Sequence, residues 1–129
     1  MISINLSGIQ SIVVPLSIEV GDEVLVFHEE DNKYQQKEIA LAVKHDAGII
    51  GYVPCLETIE KYIKKAEKDN DLRAFRNQSE RYRITSHIRD NVINDIYRNN
   101  QSVRAKIGRV QLNDDQDKVL SVSISLDYM

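Results

Sequence analysis

The chain has 129 residues, 42% hydrophobic and 29% charged, which fits one domain able to bury its own core. A single cysteine, Cys55, excludes an internal disulfide and fits a reducing compartment. No apolar stretch approaches the roughly 20 residues of a membrane-spanning helix, and no signal-peptide pattern follows Met1, so a cytoplasmic protein with no membrane partner is expected.

The net charge of −3 conceals a strong asymmetry. Residues 1–71 carry 7 Lys against 13 Asp or Glu, and residues 72–109 carry 8 Arg and 1 Lys against 3 acids. Residues 110–129 return to acid, with 1 Lys against 4 Asp. A basic middle in an acidic chain predicts either an anionic partner or pairing between the halves.

Residues 2–6 alternate apolar and polar through Ile2, Ile4 and Leu6, as a half-buried strand does. Residues 9–16 form a second apolar stretch that Pro15 confines to a sheet edge or ends. After the turn signal Gly21-Asp22, residues 23–28 read as a strand apolar on both faces, Val24 and Val26 on one, Leu25 and Phe27 on the other. Such a strand belongs at the centre of a closed or covered sheet. Residues 29–36 are a polar loop, residues 38–44 a further strand, and His45-Asp46-Ala47-Gly48 a turn leading into a strand over 49–53.

Pro54 suits a helix start. Leu56, Ile59, Ile63 and Ala66 recur at helical spacing, with Lys61, Lys64, Lys65 and Lys68 on the solvated face. Lys68-Asp69-Asn70-Asp71 breaks that helix. A second helix is expected over about 79–99, with Ser79 as N-cap and a stripe of Ile84, Ile88, Val92 and Ile96. At 100° per residue Arg83, His87, Asn94 and Arg98 share its far side. Residues 103–112 and 119–128 then alternate as a hairpin around Asn113-Asp114-Asp115-Gln116-Asp117. The expected architecture is mainly β with helices (α+β): a small barrel or strongly bent sheet of about six strands, with helices covering one opening. One domain over 1–129 divides into barrel strands (1–53), a helical insertion (54–102) and a closing hairpin (103–129).

Catalytic and metal signals are missing from the pattern. His28, His45 and His87 have no metal-ligand spacing, Cys55 has no assignable base, and the glycines stand alone rather than in a phosphate loop. No enzyme, metal or cofactor is expected. Binding residues are better marked. Tyr34 stands in a wholly polar loop and Tyr52 between Gly51 and Val53, each either a stacking face or a packing anchor. Asn32 is either a ligand contact or a turn residue. Arg83, His87 and Arg98 are candidates for phosphate contacts, or form a solvated face.

The segment from Gly21-Asp22 through Asp31-Asn32-Lys33-Tyr34 and Glu38-Ile39-Ala40-Leu41-Ala42-Val43 to Gly51-Tyr52-Val53-Pro54 resembles the HIRAN family. The resemblance covers about 35 of the 129 residues. It implies an OB-like or SH3-like β-barrel, and capture of single-stranded DNA at a free 3′-hydroxyl end by loop and rim residues. Carried over, those are Asn32, Tyr34 and Tyr52, with Gln35 at the position of the loop Asp. The chain departs from the family pattern at Lys33, where Pro is usual, at Gln35, and at Glu38, where Asn is frequent. It also lacks the early Arg-aromatic pair and the Lys that some members carry after the third strand. Arg83 and Arg98 would then supply the positive charge missing from the first strands.

These readings predict a non-enzymatic nucleic-acid-binding module for single-stranded DNA, working beside a protein partner such as a helicase or nuclease. The alternative is a phage-type or mobile-element accessory factor that binds a partner protein through its acidic surface.

Overall fold

A computed structural model describes residues 1–9, 12, 14–32, 37–98 and 101–128. Its elements are β1 (Ile2–Asn5), β2 (Glu23–His28), β3 (Leu41–His45), β4 (Gly48–Tyr52), α1 (Leu56–Lys68), α2 (Leu72–Arg98), β5 (Ser102–Leu112) and β6 (Val119–Leu126). The strands form one antiparallel sheet in the order β1-β6-β5-β2-β3-β4. Just past β1, Ser7 pairs with Tyr52 at the end of β4, so the curled sheet brings its two edges together. The expected α+β architecture, with six strands and a helical insertion, is the observed one.

Alternation along the strands builds the interior. Val24 and Val26 of β2 lie opposite Ala105 and Val103 of β5, and Val26 also faces Val43 of β3. Ile50, Ile107, Val122, Ile124 and Leu126 join them in one core cluster. The core draws on Ile, Val and Leu because the chain holds no Trp and two Phe. Ile88 and Val92 of α2 are fully buried in the same cluster, so this helix fills the opening of the curled sheet. The other face of β2 is only partly covered: Leu25 is 40% exposed. β2 is central, as its composition predicts, but one of its apolar faces meets solvent.

Three expectations are corrected. α2 begins at Leu72 rather than Ser79, because Asp71 is a capping residue as well as a helix breaker. Its Oδ1 accepts the Ala74 N–H at 3.0 Å, directly after Asn70 turns the chain at φ +53°. β3 begins at Leu41 rather than Glu38, because the Glu38 side chain is drawn off to the start of α1. Among the described residues of 9–16 the chain turns, with Ile12 N–H donating to the Ile9 carbonyl, and adds no strand to the sheet.

Side-chain ties fix the remaining parts. His45 accepts the Ala47 N–H at Nδ1, which leaves Nε2 to donate to Asp22 at 2.9 Å. The backbone N–H of Glu19, with help from His45, holds the Asp22 carboxyl below its ordinary value. Tyr82 of α2 donates to Glu60 of α1 at 3.2 Å. Among the described residues no helix is long and apolar enough to cross a membrane.

Candidate functional site

β4 ends on Tyr52, whose backbone and side chain act separately. The backbone N–H donates to Ser7 O at 2.9 Å and the carbonyl accepts the Ser7 N–H at 2.8 Å, closing the sheet. The phenol donates to Glu29 Oε1 at 3.0 Å. Asn32 Nδ2 donates to the same oxygen, also at 3.0 Å. Glu29 thus gathers a loop residue and a strand residue onto one carboxylate oxygen, and Oε2 is left out of both bonds.

Local sequence makes this possible. Ala42 lies directly between Tyr52 and Phe27 in the register, and it is fully buried. A methyl group there leaves room for the Tyr52 ring to reach across β3 toward Glu29, just beyond β2. Gly8, at φ +75°, passes so close that a Cβ would stand 3.1 Å from the Tyr52 ring. Gly51 performs the same service against Leu6, where a Cβ would come within 3.0 Å. Burial raises the Tyr52 phenol above its ordinary value, and the Glu29 bond adds to the effect. The phenol therefore remains a donor at neutral pH.

A cleft of about 410 Å³ opens beside these groups, walled by His28, Glu29, Glu30, Asn32, Lys37 and Glu38 among others. Among the described wall residues, three carboxylates stand against one ammonium, a balance suited to a hydrogen-bond donor rather than to a phosphate. Lys37 itself lies 3.4 Å from Glu57 at the start of α1.

Behind the cleft stands a clamp. Arg89 of α2 is 2% exposed, and its guanidinium donates to the carbonyls of Ile39 and Pro54, with Val53 O at 3.5 Å. Its Nε lies 3.5 Å from Glu38 Oε1. Glu38 in turn accepts the N–H groups of Leu56 and Glu57 at 2.9 Å each, capping α1 in place of Cys55, whose side chain makes no cap bond. One ion pair, buried at its Arg end, thus joins α2, the start of α1 and the segment leading from the loop into β3. Burial and the neighbouring Glu38 push the Cys55 thiol up, which disfavours thiolate chemistry there.

Of the residues singled out in the sequence, Asn32 and Tyr52 are brought together. Tyr34 and Gln35 lie outside the described residues. Arg83, Asn94 and Arg98 are exposed on α2 and His87 is half-buried. Arg83 pairs with Glu80 at 2.6 Å, and Asn91 donates to the His87 carbonyl at 2.8 Å. Arg83 and Arg98 stand fifteen residues apart on one helix, about 22 Å along its axis, too far to grip one nucleotide together. Sequence reasoning missed Glu29, which read only as part of the polar loop over 29–36, and Arg89, which sits at the margin of the α2 stripe. Among the described residues no group of three or more His, Cys, Asp or Glu is arranged to hold a metal ion. Compared with protein-family models, with curated proteins and with solved structures, the chain matches none.

Proposed function

We propose that the chain is a non-enzymatic, HIRAN-like nucleic-acid-binding module that captures the end of a single DNA strand at its barrel rim. The observation that carries this reading is the Glu29 carboxylate, oriented through Oε1 by Asn32 and Tyr52. An oriented carboxylate accepts a terminal hydroxyl and repels a terminal phosphate. Glu29 would thereby supply the acid that Gln35 does not. Asn32 helps to hold that carboxylate in place, and the Tyr52 ring offers an apolar edge beside it.

Fluorescence anisotropy at low salt, with short strands bearing a free or a phosphorylated 3′ end, tests the reading. Free ends should bind about tenfold or more tightly, the loss of a charge-assisted hydrogen bond being worth roughly 1.5–3 kcal/mol. Glu29→Gln should erase most of that preference. Equal binding of free and blocked ends removes the end-capture role, and no binding to either removes the nucleic-acid reading.

A protein-binding role has its own support in the run Glu29-Glu30-Asp31 at the rim, a docking surface for a basic partner. Binding that persists with a basic peptide and is absent with every DNA strand would favour it.

A further inference from the structure

A second, larger cleft lies between the last turn of α2 and the outward face of β2. It measures about 550 Å³, and its walls include Leu25, Phe27, Lys44, Ile96 and Tyr97. Tyr97 is 66% exposed. On the sheet, Leu25 stands opposite Lys44 of β3 and Arg104 of β5, and both cations are exposed. With strands about 5 Å apart, the two charges flank an apolar strip about 10 Å wide. This cleft and the one at Glu29 share His28 and Glu30 as wall residues, so they adjoin.

We infer that the larger cleft is a second subsite, taking a base and the flanking phosphates of the strand whose end sits at Glu29. The inference rests on the nucleic-acid reading above and extends it from the terminal nucleotide to the body of the strand. A base is flat, apolar on its faces and sequence-tolerant toward aromatic rings, and it matches the strip formed by Leu25, Phe27 and Tyr97. Lys44 and Arg104 stand where the phosphates on either side of that base would run. The chemistry divides between the two clefts. The acid-walled one takes the hydroxyl terminus, and the cation-flanked one takes the anionic backbone. Glu30, the one carboxylate among the described walls of the larger cleft, opposes that backbone at the junction.

Anisotropy titrations of an eight-nucleotide oligo-dT with a free 3′ end test the subsite on the full chain, with circular dichroism reporting folding. Tyr97→Ala should weaken binding about five- to hundredfold while the preference for a free over a phosphorylated 3′ end persists. Lys44→Gln/Arg104→Gln should flatten the dependence of log Kd on log salt by about one to two units. Glu30→Gln should tighten binding. Wild-type affinity and salt dependence in both the Tyr97 and the double variant would overturn the subsite while leaving the end site standing. If the wild-type chain binds no strand, the nucleic-acid reading falls and the subsite with it.

Discussion

The Arg89 guanidinium and the Glu38 carboxylate meet at 3.5 Å, tying the basic helix to the acidic segment that follows the loop. The pair is buried at its Arg end, 3% exposed in the side chain, and partly solvated at its Glu end, 21% exposed. It realises, at one point, the pairing between oppositely charged halves that the charge distribution allowed.

Arg89→Met should therefore be costly. It strands Glu38 and leaves backbone carbonyls without their donor, for an expected loss of about 3 kcal/mol after allowing for Glu38's solvent contact. Glu38→Gln keeps an acceptor for the α1 amides and should cost only about 1 kcal/mol. Urea unfolding measures both. An Arg89→Met chain within about 0.5 kcal/mol of wild type would contradict the clamp.

Stability at alkaline pH should depend on Tyr128. Its phenol donates to Asp95 on α2 at 2.6 Å, and burial, followed by that bond, raises its pKa well above the ordinary 10.0. A raised folded value means the stabilisation is complete below the unfolded value, near 10, and is lost as pH climbs toward the folded one. Tyr128→Phe should cost about 1 kcal/mol at pH 7 and remove this part of the alkaline decline. Thermal melts of both proteins from pH 8 to 11 measure the effect; parallel curves would contradict it.

Gly51→Ala should weaken the sheet closure. The added Cβ would come within 3.0 Å of Leu6 Cβ and 3.2 Å of Ser7 O, and the backbone oxygen cannot step aside as a flexible side chain would. A cost of about 1–3 kcal/mol is expected. Gly21→Ala provides a contrast, since it meets no atom within 4 Å but carries φ +93°, so its penalty is purely conformational. Denaturant midpoints for the two variants read the difference, and a Gly51→Ala chain as stable as wild type would contradict the close approach.

The strands were largely legible because their signals are local. Alternation through Ile2 and Ile4, the double-faced run at Val24, Leu25, Val26 and Phe27, and the hairpin around Asn113 each declare themselves within a few residues. What could not be read depends on distant partners. Glu38 looks like the first residue of a strand until the start of α1 arrives to be capped. Asp71 reads as a breaker because a breaking Asp and a capping Asp are the same residue in a string. Asn32 and Tyr52 were singled out by the family resemblance, and the structure brings them together on one carboxylate. The group uniting them, Glu29, was hidden among adjacent acids, since its meaning comes from a phenol 23 residues further on.

Among the described residues the two edges of the sheet meet at Ser7 and Tyr52, and the Tyr52 phenol also holds Glu29. Seam and site are therefore one mechanical unit. Any breathing that parts the two edges swings the Tyr52 phenol away from Glu29 and dissolves the arrangement of donors there. Under the proposed end capture, an occupant that holds Glu29 and Tyr52 in place would also hold the two sheet edges together, so that capture and closure of the curled sheet would draw on the same free energy.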